Sequence, residues 1–412
     1  TTRRGTPLAP EARTALRHVG GPAKKRGDAA VAELLAHAFD VGEDDADAAR
    51  AHVHGFHSYP ARLHPVTAAR LVGGLAPEKG VVLDPFCGSG TVLVESSLAG
   101  RRAVGTDVNP LAIRLAHLKV RGLPEEERRA LLEAARWVEG HVTMRRKTAA
   151  RATKKYGPED VALFEPHVLL ELDSIRAGLD RVEPKELRDD LELVLSAILT
   201  KVSRKRGDSA QQLAQRRLAP GFTARLFLSK AEELVRSLEM FERALPKGTP
   251  AATVRADDAR TLGTVGAATI DLVATSPPYA ATYDYVDHHD LRLRWLGMPI
   301  DRFASLELGA RRDYSRLNGR GAQARWHDEL GRTLQALART LRQGGTIVLV
   351  IADSAVAGTA LRAVDVVEAE CGRAGLAVHA VVSQERPHFH TATRDAYRDA
   401  PREEHLIALR RP

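Results

Sequence analysis

The 412-residue chain has two cysteines, Cys87 and Cys371, far apart in sequence. Cys87 sits inside a glycine turn, where a disulfide would distort the backbone, so both are expected as reduced thiols. There is no run of about eighteen apolar residues, which argues against a membrane-spanning helix. The opening stretch Thr1 to Pro7 lacks the apolar core of a secretory leader, and a cytoplasmic protein is the expectation. Histidines occur adjacent (His288, His289, beside Asp290) or alternating (His388, His390), without the third and fourth spaced ligands of a metal site, and no metal is expected. No Ser-His-Asp or paired-carboxylate pattern points to a hydrolase.

What the chain has is charge, unevenly placed within a formal total of +8. Residues 141 to 155 hold Arg145, Arg146, Lys147, Arg151, Lys154 and Lys155 and no acid. Residues 201 to 230 hold Lys201, Arg204, Lys205, Arg206, Arg216, Arg217, Arg225 and Lys230 against Asp208 alone. Such clusters suit a phosphate backbone; a solvated surface is the alternative for each.

Apolar runs ended by turn signals predict seven strands: Val81 to Phe86, Ala103 to Asp107, Thr253 to Asp257, Asp271 to Ala274, Thr346 to Ala352, Leu376 to Ser383 and His405 to Arg410. Helical stretches separate most of them, implying right-handed crossovers and a largely parallel sheet. The last two, joined by a polar segment, predict a hairpin. The expected architecture is α/β: a Rossmann-like seven-stranded sheet with a C-terminal antiparallel hairpin and a large helical insertion. Residues 1–50 read as a flexible arm followed by a helix from about Ala29 to Phe39. Residues 51–122 read as one half of the sheet domain and residues 251–412 as the other. Residues 123–250 are too long for a crossover and are expected to form a lobe of their own. Its helices are marked by Leu187, Leu191, Val194, Leu195, Ile198, Leu199 and Val202, and by Leu234, Leu238, Phe241 and Leu245.

Two motifs stand where apolar strands end. After Val81 to Leu83 come Asp84, Pro85, Phe86, Cys87, Gly88, Ser89, Gly90 and Thr91, a turn whose missing side chains let backbone amides approach a nucleotide-like ligand. The helix beginning near Thr91 can receive a carboxylate on its N-terminal amides. Asp107, at the tip of the next strand and followed by Asn109 and Pro110, suits two ribose hydroxyls, with a helix cap as the alternative. After Asp271 to Ala274 come Thr275, Ser276, Pro277, Pro278 and Tyr279. The prolines fix φ and remove two donors, so the Ser276 and Pro277 carbonyls point outward, where an amino group can be accepted.

At these residues the chain resembles the S-adenosylmethionine-dependent amino-methyltransferases that modify the exocyclic nitrogen of cytosine or adenine in DNA. The resemblance covers residues 57–121 and 253–411 in outline and leaves the insertion unexplained. It implies that the Asp84 to Thr91 turn holds the methionine part of the cofactor and that Ser276 to Tyr279 holds a flipped base. By the same resemblance Asp258 stands beside the cofactor's adenine, with Asp257 as the adjacent alternative. The segment His57 to Pro65, with Tyr59, looks like a further cofactor-side motif. Tyr279 offers a face on which an extruded base can stack. Direct in-line transfer needs no covalent intermediate, and neither cysteine follows a proline as ring-carbon methylation would require.

Within the resembled family, serine before the prolines leans toward N4 of cytosine, with adenine N6 as the alternative. A guanine-N2 RNA enzyme is a third reading, disfavoured because that class usually has aspartate there and an N-terminal RNA-binding domain. DNA, as a duplex with one base flipped out, is the expected partner, and nothing identifies a nuclease partner or a membrane. The DNA contacts are expected at Arg145, Arg146, Lys147, Lys154, Lys155, Arg204, Lys205 and Arg206. Residues 296–327, with Arg311, Arg312, Arg316, Arg320 and Arg325, compete with the insertion for target recognition.

Overall fold

The computed structural model describes residues 22–205, 213–214, 217–387 and 391–412. The expected arm before residue 22, together with Arg206, Arg216, His388 and His390, lies outside the described residues. The strands are β1 (Lys24–Gly27), β2 (Val81–Asp84), β3 (Arg102–Asp107), β4 (Thr253–Ala256), β5 (Ile270–Thr275), β6 (Leu341–Ala352), β7 (Ser354–Val356), β8 (Thr359–Leu361), β9 (Ala377–Glu385) and β10 (Glu403–Arg410). Eight of them form one sheet in the order β1-β9-β10-β6-β5-β2-β3-β4, and β7 and β8 form a separate ribbon. The neighbours from β6 through β4 pair in parallel, while β10 is antiparallel to both β6 and β9. All seven expected strands are present, with the hairpin at the C-terminal end. The additions are the β7–β8 ribbon and, in the main sheet, β1, an exposed Lys-Lys-Arg-Gly strand antiparallel to β9 in a stretch read as part of the arm. The helix that follows runs over Ala29–Phe39, as expected.

The central strands read as unbroken apolar runs because successive residues are buried on opposite faces. Val82, Leu272, Val348 and Leu406 pack with Leu35 and Leu71 from helices Ala29–Phe39 and Pro65–Leu75. Leu83, Val273, Ile347 and Ile407 pack with Leu330, Leu337 and Val367 from helices Gly319–Thr340 and Ala363–Cys371.

The insertion is helical, with long helices over Glu125–Lys147, Pro166–Leu179, Lys185–Val202 and Phe222–Ala244. Its apolar stripes, among them Leu191, Val194, Ile198, Leu234, Leu238 and Phe241, are buried in one cluster with Phe56, Leu93, Leu111, Leu115 and Leu291 of the sheet domain. The insertion therefore shares a core with both halves of the sheet domain, against which its helices cover their apolar faces.

β2 lies between β5 and β3. From β2 the chain runs outward to β3 and β4, then returns to β5 on the other side. This reversal of strand order leaves a crevice at the carboxyl ends of β2 and β5, the usual ligand position in an open α/β sheet.

Candidate active site

Both motifs open into that crevice. The Thr275 hydroxyl at the end of β5 donates to Asp84 Oδ1 at 2.6 Å, tying the two strand ends together. Asp84 also accepts the Phe86 amide at 3.1 Å, and burial pushes its carboxyl up to about 7. The turn needs its glycines. Gly88 has φ +48°, and a Cβ there would lie 3.1 Å from the Tyr59 ring; at Gly90, φ +86°, it would lie 3.1 Å from Ala116 Cα. The Gly90 amide closes the turn on the Cys87 carbonyl at 2.7 Å, and the helix Thr91–Leu98 begins there.

Asp107 caps the turn rather than the following helix. Its Oδ2 accepts the Gly88 amide at 2.9 Å and its Oδ1 the Asn109 amide at 2.8 Å. The helix cap is Asn109, whose Oδ1 accepts the Leu111 amide at 3.0 Å, with Pro110 in the first turn. Burial pushes the Asp107 carboxyl up to about 6, against the pull of those amides. Each carboxylate oxygen keeps a further acceptor position for a ligand hydroxyl.

Tyr59 sits over this turn because its segment is fastened on two sides. Asn109 Nδ2 donates to its hydroxyl at 3.1 Å, and its ring stacks on His289 with centroids 4.7 Å apart. Next to it, His57 donates from Nδ1 to the Ser58 carbonyl at 2.8 Å and so accepts the Ser196 hydroxyl at Nε2, 2.9 Å away. Arg292 donates to the Ser58 hydroxyl at 2.9 Å. The insertion helix Lys185–Val202 thus helps to hold the segment that carries Tyr59.

The cavity over the turn is lined by Tyr59, Asp84, Phe86, Gly88, Thr91, Asp107 and Asn109, bringing together most of the expected cofactor residues. Gly90 lies just behind them, at the start of the helix. Asp257, not Asp258, lines the cavity. Asp257 continues alongside β3, its amide donating to the Asp107 carbonyl at 3.2 Å, while the Asp258 carboxylate faces the Arg260 guanidinium at 2.9 Å. Val108, Ala259, Phe303 and Leu308 give the same cavity an apolar wall.

Beside it opens a cleft of about 500 Å3 lined by Ser276, Pro277 and Tyr279, and the two spaces share Ala61, Arg62, Leu63, Ser276 and Tyr285. The β5–β6 ladder ends at Thr275, so the Ser276 and Pro277 carbonyls lie beyond the last paired residue. Pro278 faces the first cavity. Tyr285, Glu307, Arg386, Arg402 and Glu404 also line these spaces; the four charged ones stand beside strand and helix ends, where no local sequence pattern marks them.

The basic residues divide. Arg145 is turned inward, donating to Ser174 Oγ at 3.0 Å and to the Arg151 carbonyl at 2.7 Å, beside Asp173 at 3.4 Å. Arg204 donates to the Ala162 carbonyl at 3.1 Å, and Arg146 lies 3.9 Å from the Glu171 carboxylate. Lys147, Lys154 and Lys155 are exposed, with Lys154 above the Tyr156 ring; Lys205 is half-buried. Arg312 and Arg325 pair with Glu307 and Glu329, and Arg311 with Asp284.

Residues 40–118 match the N6/N4 methyltransferase family, described as DNA methylase. Over 69 residues, 16% of this chain and 15% of the relative, the sequence is 41% identical to the Type II methyltransferase M.MvaI of Kocuria varians. Over another 69-residue alignment, 17% of this chain and 13% of the relative, it is 32% identical to the Type II methyltransferase M.MjaII of Methanocaldococcus jannaschii. The matched segment thus spans about one seventh of the length of these curated relatives. The rRNA methyltransferase aviRa of Streptomyces viridochromogenes superposes with a TM-score of 0.34 at 15% identity, over 90% of this chain and 95% of that one.

Proposed function

We propose, from the match of residues 40–118 to the N6/N4 methyltransferase family, that the protein methylates an exocyclic amino group of a DNA base, N4 of cytosine in preference to N6 of adenine. The observation that carries this reading is the junction of the two motifs: Thr275 and Asp84 are hydrogen-bonded at 2.6 Å, and Ser276 lines both the cavity over the glycine turn and the larger cleft. A ligand in each space would meet at that residue.

The residues over the turn suit S-adenosylmethionine. Gly88 leaves the gap that a Cβ would close against Tyr59. Asp107 has acceptor capacity for ribose hydroxyls, and the wall of Val108, Ala259, Phe303 and Leu308 suits an adenine ring; Asp257 borders the same cavity, but its carboxylate is taken up by the Gly263 and Thr264 amides and the Thr264 hydroxyl. When bound there, the cofactor supplies an electrophilic methyl group. On the other side, the Ser276 and Pro277 carbonyls accept the target N–H groups and turn the nitrogen lone pair toward the shared boundary. Tyr279 stacks on the extruded base. The contribution of these groups is orientation and electrostatics, and no cysteine nucleophile takes part. The serine before the prolines supports cytosine over adenine.

Incubating the protein and labelled cofactor with unmethylated DNA, and separately with RNA, followed by nucleoside mass analysis, tests this. N4-methylcytosine in DNA is the expected product. N6-methyladenine would keep the mechanism and change the base, whereas 5-methylcytosine or methylated guanosine in RNA would overturn the reading. In the same assay Tyr279→Ala should lower turnover by about 1–3 kcal/mol of lost stacking, with cofactor affinity nearly intact.

A further inference from the structure

The larger cleft contains a carboxylate that belongs to neither motif. Glu404 lies near the start of β10 and lines the same space as Ser276, Pro277 and Tyr279. Its Oε1 accepts the Tyr279 hydroxyl at 2.9 Å, and its Oε2 accepts Arg386 Nε at 2.9 Å. Arg386 is fixed in turn: its amide donates to the Arg402 carbonyl at 2.8 Å, and its guanidinium lies 4.8 Å from the centre of the Phe39 ring. The Arg386 side chain is 8% exposed and that of Glu404 22%, so the pair is largely withdrawn from water, where such contacts hold a defined geometry.

Fastening the hydroxyl fixes the tip of the Tyr279 ring and so restricts its first side-chain torsion; the oxygen lies on the axis of the second, on which only the in-plane preference of a phenolic O–H acts. Burial, then the adjacent Glu404 charge, holds the Tyr279 phenol well above its ordinary range, so it stays protonated and remains the donor. A ring fixed in advance loses less freedom when a flat ligand stacks on it.

We propose that Glu404 is the positioning residue for Tyr279: its carboxylate, oriented by Arg386, fixes the tyrosine ring as the stacking wall of the base pocket. This rests on the reading that the larger cleft receives a DNA base. The sheet supplies the geometry, because pairing of β9 with β10 puts Glu404 opposite Gln384, two residues before Arg386.

The test is a mutant cycle read by incorporation of labelled methyl groups into unmethylated plasmid DNA, with kcat and KM determined separately and cofactor affinity measured by calorimetry. Glu404→Ala should lower kcat/KM for DNA on the order of tenfold, with the cofactor dissociation constant unchanged within about twofold. Glu404→Gln keeps an acceptor for the phenol and should recover most of the loss. Tyr279→Phe removes the same hydrogen bond from the other side and should reproduce the loss; adding Glu404→Ala to it should cost little more. Multiplying losses would mean that Glu404 acts independently of the ring, and the proposal would fail, as it would if cofactor affinity fell in step. Should Glu404→Ala not fold, Tyr279→Phe decides: wild-type kcat/KM overturns the proposal. An active wild type with an additive cycle defeats this inference alone, whereas a wild type that incorporates no label into DNA defeats the base-pocket reading as well.

Discussion

The acids over the glycine turn and the cations of the insertion look alike in sequence, as charged residues at the ends of elements, but the fold treats them in opposite ways. Asp84 is buried and Asp107 half-buried, with no ion-pair partner for either among the described residues, and desolvation raises both carboxyls, to about 7 and about 6. They face a cavity. Arg145 is also withdrawn, but it meets a buried carboxylate, Asp173, which accepts the Thr153 amide and the Thr153 and Tyr156 hydroxyls as well. Lys147 and Lys155 simply stand in solvent. A buried charge with no counter-ion and an open side is poised for a ligand, a buried charge with its counter-ion is structural, and an exposed charge acts only through its field.

The comparison breaks most visibly at Asp107. Asp107→Ala removes an acceptor for ligand hydroxyls and frees the Gly88 amide, so S-adenosylmethionine affinity should fall by about 1.5–3 kcal/mol, roughly tenfold or more. Unchanged binding by calorimetry would remove Asp107 from the site. Arg145→Ala should act on stability instead, costing about 1–3 kcal/mol because Asp173 loses one of its donors. Lys154→Ala should cost less than about 1 kcal/mol, the worth of an exposed cation over an aromatic ring. Denaturation midpoints distinguish the two, and equal losses would show that Arg145 is no more structural than its neighbours.

A pH series sharpens the same contrast. A carboxyl whose folded pKa is raised binds a proton more tightly when folded, so its contribution to stability is greatest below about 3.8 and is lost as pH rises through about 6 to 7. Ligand hydroxyls favour the ionised form, so cofactor affinity should move the other way. With Asp107 titrating near 6, its ionised fraction rises about fourfold between roughly pH 5.5 and 7.5, and affinity should follow. Calorimetry showing a flat profile would mean that Asp107 is ionised throughout or does not touch the ligand.

The parts of this molecule that were legible in its sequence are those where backbone demands select the residue. Val81 to Leu83 and Ile347 to Ile351 are continuous apolar runs because they are buried on both faces, and Gly88 and Gly90 are glycines because φ is positive there. Strand β1 was not legible: its four residues are exposed, and it pairs only because β9 offers an open edge. Between Asp257 and Asp258 the composition is identical, and the choice is made by how far the chain follows β3 before turning. Tyr279 and Glu404 are 125 residues apart and meet only through the order of strands in the sheet. The split of the basic cluster depends on Asp173, an acid buried on a different helix from Arg145.

The smallest expected effect concerns the lysines that remain. If the insertion meets a phosphate backbone, the cations that do so are the exposed ones with no internal carboxylate, so Lys147→Ala, Lys154→Ala and Lys155→Ala should each flatten the dependence of log K on log salt by about 0.9 for a true contact. Between 50 and 200 mM salt that is a change of about threefold to fourfold per residue, small beside the loss at Asp107. Arg145→Ala should leave the slope alone, since its guanidinium is committed to Asp173, Ser174 and the Arg151 carbonyl. Helix Tyr285–Trp295 sets the distance involved: Tyr285 lines the cleft at one end, while at the other Trp295 stacks on Tyr156, next to Lys155. Ten residues of helix place Lys154 and Lys155 about 15 Å from the larger cleft, a distance that would reach the flank of a duplex if a base entered that cleft. Three unchanged slopes in a DNA-binding titration would separate this lysine face of the insertion from DNA. The exposed Arg316 and Arg320 would then be the cations to test next.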